Sequence, residues 1–370
     1  MTKKDEKTSR RKFLLTAGAV GAATVAMPQV SRAQTVTWKY QSTWPTKDIF
    51  HEMAADYAKK VNDMSGGRLK LDVLAAGAVV PAFQMADAVH SGVLDCGHGV
   101  CAYWYGKHKA YSLFGTPPSW GWDAHGFLGW FYYGGGEDLY KELVNNILKL
   151  NLTGVLYYPM PTQPLGWFKK EMKTGDDFKG MKYRTVGLSA DLFKELGASV
   201  TILPGGEIVP AMDRGLLDSA EFNNPSSDIL LGFPDVSKFY MVGSHHQQAE
   251  SFEIIFNKQK HDALPPELRA ILRNAAFAAS ADSYAMAHDR YSKDLDAIKK
   301  RGVNVIKSPD KLLTDQLNAW NKVLAEQSKE PFFAKVVASQ KDWVKRTGAY
   351  TLSNNLDSAA LEKAYKHFHG

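Results

Sequence analysis

One short pattern occurs twice in the chain, and it restricts the fold more than any other feature. The segment 88–95 (AVHSGVLD) returns at 211–218 as AMDRGLLD. Each copy predicts the end of a helix, a glycine in the left-handed cap, two apolar residues and an aspartate that opens a strand. Chance similarity of a common helix–glycine–strand device is the alternative explanation. If the repeat is real, two similar α/β units face each other across a cleft.

The sequence around the first copy alternates between strand and helix patterns. Residues 35–41 and 68–74 alternate in polarity as strands do. Residues 49–64 and 83–90 place apolar side chains at helical spacing, and a Ser-Gly-Gly stop at 65–67 ends the first of these helices. This order is typical of an α/β fold in which helices cover a sheet.

The last third of the chain predicts helices. Two prolines at 265–266 open a helix over 267–300, long enough to brace both units, and Gly302 ends it. After a short strand at 303–306, residues 310–369 are helical and amphipathic. Their apolar stripe fits either core packing or a dimer surface. The stripe consists of Trp320, Leu324, Phe332, Phe333, Val336, Val337, Trp343 and Val344.

The first 33 residues predict an export signal. Arg10 and Arg11 precede an Ala/Gly-rich apolar stretch at 14–27, and small residues up to Ala33 suit a signal peptidase. With its two adjacent arginines, the pattern resembles a twin-arginine signal. A retained membrane anchor is the alternative, but it needs about 20 apolar residues and this stretch is shorter. The leader is basic and carries most of the net charge of +6. The rest of the chain is therefore close to neutral, which removes the compositional support for nucleic-acid binding.

The chain has two cysteines, Cys96 and Cys101. Two cysteines do not make a disulfide framework. In an oxidising compartment they form either one local disulfide or two packed thiols, and the sequence leaves both open.

Motifs for enzyme catalysis are absent from the sequence. It contains no G-x-S-x-G, H-E-x-x-H, Walker lysine loop or C-x-x-C. His245 and His246 could supply a base, but adjacent residues of a strand point to opposite faces. We therefore expect a protein that is not an enzyme. An exported enzyme that acts on small carboxylates through one of these histidines is the alternative.

Three polar residues are suited to hold a carboxylate ligand. Arg184 follows a turn and lies on a predicted strand, and its guanidinium offers two parallel N–H donors to the two oxygens of a carboxylate. Glu221 ends the strand that Asp218 opens, and Gln163 lies in a loop bounded by prolines. Taken singly, each also has an ordinary interpretation as a surface residue.

The order of these segments resembles the solute-binding proteins of tripartite ATP-independent periplasmic (TRAP) transporters. The likeness covers essentially the whole chain after the leader, including 163–170 (QPLGWFKK), 178–184 (FKGMKYR) and 211–222. It is strongest for the branch that binds 2-oxo acids such as pyruvate, or hydroxy acids such as lactate, often together with a cation. The resemblance implies a two-lobed α/β periplasmic binding protein with a ligand cleft between the lobes, a long bracing helix and a C-terminal helical extension.

The resemblance also implies a division of the chain. Residues 1–33 are the signal, and residues 34–157 with about 246–307 form lobe I. Residues from about 158 to 245 form lobe II. Residues 308–370 are C-terminal helices, through which related members of this branch dimerise; whether this chain forms a homodimer is open.

Site residues follow from the resemblance position by position. Arg184 binds the solute carboxylate. Tyr103 and Trp104 line the ligand from lobe I, while Trp167 and Phe222 help to set the pocket size. Gln163 also contacts the solute.

The resemblance further implies a cation, Na⁺ or Ca²⁺. Gln163, Glu221 and the backbone carbonyl of Phe222 match its ligand positions. Where the 2-oxo-acid binders have a second carboxylate, this chain has Gln247. With one negative charge fewer, we expect weaker divalent binding or a preference for a monovalent ion.

The implied function is capture of a small organic acid in the periplasm and its delivery to the membrane subunits of a TRAP transporter. No nucleic acid is expected as a partner. A binding protein that reports to a membrane sensor is the alternative with the same cleft. Monocarboxylic 2-oxo or hydroxy acids are the first choice of ligand, followed by aromatic carboxylates and then by dicarboxylates.

Overall fold

The structure is a computed structural model that describes residues 35–369; the predicted export signal lies outside them. Within these residues, eleven strands form two mixed sheets. The strands are β1 (Val36–Ser42), β2 (Leu69–Leu74), β3 (Cys96–Gly99), β4 (Leu152–Met160), β5 (Gly166–Phe168), β6 (Lys182–Arg184), β7 (Ser199–Thr201), β8 (Ser219–Ala220), β9 (Phe239–Val242), β10 (Glu250–Asn257) and β11 (Asn304–Lys307).

Helices cover both sheets, as the alternating pattern predicts. They are α1 (Ile49–Met64), α2 (Met85–Ser91), α3 (Ala124–Tyr133), α4 (Gly136–Lys141), α5 (Ser189–Glu195), α6 (Gly205–Asp213), α7 (Pro225–Leu231), α8 (Phe233–Val236), α9 (Lys258–Asp262), α10 (Pro266–Lys300), α11 (Asp310–Gln327), α12 (Pro331–Asn354) and α13 (Ser358–His369). Short 3₁₀ segments at Cys101–Trp104 and Lys109–Phe114 connect β3 to α3. No helix within residues 35–369 combines the length and the apolar character needed to cross a bilayer.

The two sheets have different strand orders. The first is β2-β1-β3-β10-β4 and the second is β11-β9-β5-β8-β6-β7. The chain passes between the sheets after β4, again before β10, and once more through α10. The predicted two-lobed α/β architecture is confirmed, whereas the lobe boundaries stay a prediction.

Strand β11 lies in the second sheet, although its residues belong to the predicted lobe I, which extends to about residue 307. β11 pairs in parallel with β9, with Asn304 opposite Phe239 and Lys307 opposite Val242. The sequence of a short strand does not state which sheet edge it joins. Here α10 carries the chain from one sheet to the other, and β11 pairs where that helix ends.

The repeated segment has the same conformation in both places. Gly92 and Gly215 adopt positive φ angles of 82° and 71°, respectively, a region that favours glycine. The Leu94 N–H donates to the Ala88 carbonyl at 3.0 Å, and Leu217 and Ala211 make the equivalent bond at 3.3 Å. The recurrence is therefore one structural device used once in each sheet.

The aspartate that ends each copy fastens the neighbouring strand. The Asp95 carboxylate accepts the backbone N–H of Lys39 on β1 at 2.6 Å, and the Asp218 carboxylate accepts that of Lys182 on β6 at 3.0 Å. In both sheets, the strand pairing itself begins one residue after the aspartate, so the carboxylate adds one hydrogen bond to the start of that pairing.

The long helix α10 contacts both halves of the molecule. It packs on β4 and α1 of the first sheet, and on α7, which follows the end of β8 in the second. The prediction of a bracing helix is confirmed, and its end coincides with Gly302 at φ 74°.

The C-terminal apolar stripe is core. Trp320, Phe333 and Val336 are at most 3% exposed and belong to one cluster with Phe114 and Trp130 of the same chain. The stripe is therefore not a dimer surface. The last helix, α13, has no buried residue.

Strand β4 carries an irregularity close to its end. Glu250 pairs with Met160 and Phe252 with Tyr157, so Ser251 lies opposite two residues of β4. Tyr158, one of the two, has a φ of 59°, and its N–H donates to Ser280 at 2.7 Å instead of to the sheet. Such a bulge re-aims the side chains around it.

Candidate functional site

Arg184 lies at the end of β6, between β7 and β8. Its register partners are Thr201 and Ala220. Lys182 on the same strand is exposed, whereas Arg184 is 1% exposed. A buried guanidinium must find compensating charge and hydrogen bonds, so the interpretation of Arg184 as an ordinary surface ion pair is wrong.

Protein acceptors hold the Arg184 guanidinium on one side. Its Nε donates to the Leu203 carbonyl at 2.8 Å, and its Nη1 donates to the Glu221 carbonyl at 2.9 Å and to Glu221 Oε1 at 3.0 Å. Its Nη2 is buried and has no hydrogen-bond partner among the described residues. The Arg184 guanidinium is thus fixed in orientation. Its Nη2 can still donate to an acceptor, which residues 35–369 do not supply.

Glu221 and Gln163 lie together beside this arginine. The Gln163 Nε2 donates to Glu221 Oε2, and both side chains are buried. Burial raises the pKa of Glu221, and the Arg184 guanidinium opposes that rise. The structure therefore brings together the predicted carboxylate anchor and two predicted cation ligands.

Gln247 reaches the same place through its backbone. Its carbonyl accepts the Gln163 N–H at 3.2 Å. In the described part of the chain, neither Gln163 Oε1 nor Gln247 Nε2 has a hydrogen-bond partner, although both atoms are buried. An unpartnered amide oxygen next to a carboxylate is a donor set that suits a hard cation.

Tyr103 and Phe222 approach the arginine from opposite lobes. The Tyr103 hydroxyl lies near the backbone of Gly205, and Arg184 is close enough to oppose the rise in its pKa that burial causes. The Phe222 ring centroid is 5.9 Å from the Arg184 guanidinium, within cation–π range. Both rings contact Trp44. These two predicted lining residues therefore lie at the site.

Trp104 and Trp167 have partners elsewhere. The Trp104 indole N–H donates to Glu253 at 2.6 Å, and the Trp167 indole N–H donates to Asp228 at 2.8 Å. Trp167 also stacks on Tyr240 at a centroid distance of 4.2 Å. Both indoles are buried, and their N–H groups bind carboxylates other than Glu221, the carboxylate that pairs with Arg184.

A second buried carboxylate near Arg184 was missed by sequence reasoning. Glu250 is 4% exposed, and its Oε2 accepts the Asn223 Nδ2 at 2.6 Å. Burial, and then the neighbouring Glu221 carboxylate, raise the pKa of Glu250 to about 8. A glutamate that opens the mostly apolar segment ESFEIIFN was the available signal, because charged residues are rarely buried without a partner.

Each of the two histidines lies beside a serine hydroxyl. His246 is buried, its Nδ1 lies 2.7 Å from Ser244 Oγ, and burial lowers its pKa to about 3. His245 Nδ1 lies 2.9 Å from Ser119 Oγ.

Cys96 and Cys101 are both buried free thiols, so the two-thiol alternative is the observed one.

A surface groove lies next to the buried site. It has a volume of about 570 Å³ and lies between the segment 76–84 of the first lobe and residues 202–207 of the second. Leu203, whose carbonyl holds Arg184, lines it together with Thr43 and Phe83. The groove therefore adjoins the buried site at Leu203.

Comparison with known families and proteins agrees with this geometry. Residues 40–333 match the model of the bacterial extracellular solute-binding proteins, family 7. A monocarboxylate 2-oxoacid-binding periplasmic protein of Nostoc is 33% identical over 284 residues, which is 73% of this chain and 76% of that protein.

Solved structures of TRAP solute-binding proteins have the same fold. The Pseudoalteromonas atlantica protein, with bound sodium and pyruvate, has a TM-score of 0.82 at 31% identity, covering 89% of this chain and 99% of that one. The Colwellia psychrerythraea protein, with bound calcium and pyruvate, has a TM-score of 0.81 at 29% identity, covering 90% and 99%. A Bordetella bronchiseptica protein, a mixed-occupancy dimer with calcium and picolinate in its active site, has a TM-score of 0.83 at 26% identity, covering 90% and 97%.

Proposed function

We propose a function that proceeds from one fact: this chain belongs to the bacterial extracellular solute-binding proteins, family 7. It captures a small organic carboxylate outside the cytoplasm, foremost a 2-oxo acid such as pyruvate or a hydroxy acid such as lactate. It then delivers that solute to the membrane subunits of a TRAP transporter. The observation that carries this function is Arg184, buried where the lobes meet and clamped on one side only.

Capture needs no bond to be made or broken. The carboxylate of the solute accepts hydrogen bonds from Arg184, whose orientation is already fixed by Leu203 and Glu221. Because the guanidinium is prearranged, little side-chain entropy is lost on binding. Closure of the lobes removes water from the ion pair, which strengthens its electrostatic attraction.

A Na⁺ or Ca²⁺ ion accompanies the solute. Gln163, Glu221, Gln247 and the Phe222 carbonyl would hold it, and the unpartnered buried Gln163 oxygen fits that assignment. Such an ion supplies positive charge that allows the solute carboxylate to remain ionised in a buried site. Calcium or sodium accompanies pyruvate or picolinate in the three related structures.

Monocarboxylates similar to pyruvate are the first choice of ligand. Two structural relatives bind pyruvate, and the Nostoc relative is a 2-oxoacid-binding protein. The picolinate of the Bordetella protein supports aromatic carboxylates as the second choice. Tyr103 and Phe222 beside Arg184 limit the space for a longer acid.

The test is to identify what the protein carries and what it binds. Protein purified under native conditions is denatured, and the released acid and metal are identified by mass spectrometry. We expect an unaltered small monocarboxylate. Calorimetric titration of refolded, solute-free protein with pyruvate, lactate, picolinate and succinate then ranks the affinities. Turnover of the bound acid, or binding of none of the four acids, would overturn the proposed function.

A second copy of this chain is the proposed partner of α13. Its apolar side chains Leu361, Tyr365 and Phe368 are 56–75% exposed, which is unfavourable for a lone helix. An apolar groove of about 550 Å³ between α3 and α10, lined by Tyr133 and Phe277, offers a surface of matching character. The Bordetella relative is a dimer, which supports a homodimer.

We expect Leu361→Glu combined with Phe368→Glu to convert a dimer into a monomer, because two charges would be buried at the interface. Light scattering after gel filtration measures the mass. Lys363→Ala on the same helix is the control and should stay dimeric. A wild-type monomer at all concentrations, or a dimer unaffected by the double substitution, contradicts the homodimer.

A further inference from the structure

We infer that Gly187 determines how closely the two lobes approach over the solute, and thereby the length of the acid that the receptor retains. This inference rests on the function proposed above. Gly187 follows Arg184 by three residues, in the turn that leads from β6 to α5. The residue acts through the distance between the lobes and not through a contact with the solute.

Gly187 of the second lobe lies directly against the first lobe. A Cβ atom at this residue would lie 2.8 Å from the Ser112 Oγ and 3.0 Å from the Ala102 Cβ. Ser112 and Ala102 belong to the 3₁₀ segments that connect β3 of the first sheet to α3, and both are buried. Carbon atoms that are not bonded to each other pack at about 3.5–4.0 Å. This contact between the lobes therefore fits a residue without a side chain.

A second glycine shows that the lobes leave more room elsewhere. Gly206, in α6 of the second lobe, faces Pro45 of the first, and a Cβ atom there would lie 3.6 Å from the Pro45 Cγ. This is an ordinary van der Waals distance, so a methyl group is accommodated at that point. Among the glycines of residues 35–369, Gly187 is thus the one at which an added atom would first collide with the opposite lobe.

The contact at Gly187 is close, but hydrogen bonds between described residues do not hold it together. The Ser112 Oγ and the Thr116 Oγ1 are the polar atoms that a Cβ atom of residue 187 would meet. Both are buried, and neither has a hydrogen-bond partner within residues 35–369. A contact of this kind resists compression without pulling its two sides together. It can therefore act as a stop for closure of the lobes.

The stop is connected to the solute site on both sides. Arg184 precedes Gly187 on one segment, and Tyr103 follows Ala102 on the other. A groove of about 420 Å³ lies between these segments, lined by Tyr103 and Gly187 among others. An added Cβ atom would open the contact by up to about 1 Å, the difference between 3.0 Å and a normal carbon–carbon distance. A short acid would then lose contact with one lobe, whereas a longer acid would fill the added space.

The experiment compares Gly187→Ala with Gly180→Ala. Both glycines have positive φ angles, 62° and 73°, so alanine imposes a similar backbone strain in the two variants. Gly180 lies before β6, where a Cβ atom would meet nothing within 4 Å. Thermal melting establishes that each variant is folded. Each solute-free protein is then titrated calorimetrically, in buffer with both Na⁺ and Ca²⁺, with pyruvate, 2-oxobutyrate and 2-oxovalerate, a series in which each acid has one more methylene group.

We expect Gly180→Ala to keep the affinities of the wild type. Gly187→Ala should bind pyruvate about tenfold more weakly and lose much less affinity for 2-oxovalerate, because an apolar pocket discriminates one methylene group by about tenfold or more. Equal losses for the three acids, or equal affinities in Gly187→Ala and Gly180→Ala, overturn the inference while the proposed function stands. Wild-type protein that binds none of the three also overturns it, and the titrations with lactate, picolinate and succinate then decide the proposed function separately.

Substitutions of Ala102 test the same contact from the first lobe. The Ser112 hydroxyl can rotate away from an added Cβ atom, whereas the Ala102 Cβ cannot. Gly187→Ala combined with Ala102→Gly should therefore recover part of the pyruvate affinity, as residues in direct contact do not act additively. Ala102→Val adds volume while residue 187 remains glycine, so it should shift the preference toward 2-oxovalerate even if Gly187→Ala does not fold. No recovery in the folded double variant, or no shift in Ala102→Val, contradicts the stop.

Discussion

Replacement of Arg184 by alanine is expected to reduce the affinity for pyruvate on the order of a hundredfold or more. The reason is that one member of a buried, hydrogen-bonded charge pair is removed from the site, which typically weakens binding by about 2–5 kcal/mol. Arg184→Lys should recover part of the loss, since it restores the charge but not the planar fork. Isothermal titration with pyruvate measures all three proteins.

Stability must be followed in parallel, because Arg184 also compensates Glu221. Circular dichroism and thermal melting establish that each variant is folded. Lys182→Ala, at the exposed start of the same short strand, is the matched control and should bind as the wild type does. Unchanged pyruvate affinity in folded Arg184→Ala would remove the anchor from the proposed site.

Replacement of Gly166 by alanine is expected to lower the free energy of unfolding by about 3 kcal/mol or more. Gly166 has a φ of 132°, and a Cβ atom there would lie 2.5 Å from the backbone oxygen of Ala220. Backbone cannot move aside as a flexible side chain can, so β5 and β8 would have to separate. Because Glu221 follows Ala220, solute binding should weaken as well.

Gly180→Ala separates the two causes of this effect. Gly180 also has a positive φ, 73°, but its substitution meets no atom within 4 Å. The left-handed conformation alone is expected to lower stability by about 1–2 kcal/mol. Denaturant unfolding of both variants gives the comparison. If Gly166→Ala and Gly180→Ala lower the free energy of unfolding equally, the contact between residue 166 and the Ala220 backbone does not contribute to the effect.

Most of the regular structure follows from local patterns. Alternation over residues 35–41 and helical spacing over 49–64 predict β1 and α1, because α1 buries one face and β1 alternates between exposed and buried residues as far as Tyr40. The repeat around Gly92 and Gly215 predicts a shared device, since a left-handed cap restricts the residue type. Such signals are contained within a few consecutive residues.

Contacts between distant segments were not available from such patterns. Trp104 is adjacent in sequence to Tyr103, yet its indole binds Glu253, a partner that only the paired strands reveal. The edge that β11 joins depends on where α10 ends. The division of the C-terminal helices into a buried stripe and an exposed last helix likewise depends on packing.

The candidate site was predicted in part for the same reason. The resemblance to TRAP receptors supplied Arg184, Gln163 and Glu221, and the structure brings them together. Glu250 was missed because an acidic residue at the start of a strand usually faces solvent. Only the meeting of β10 with the segment after β8 buries it beside a second carboxylate.

The paired aspartates at residues 95 and 218 bear on how the molecule moves. Each locks the turn before a strand to the backbone of the adjacent strand, so neither sheet can shear at that point without loss of a charged hydrogen bond. These bonds stiffen each sheet where the repeated segment joins it, so we expect little movement within either sheet at these points when the receptor takes up a solute. A transporter that docks on such a receptor would sense the angle between two unchanging surfaces.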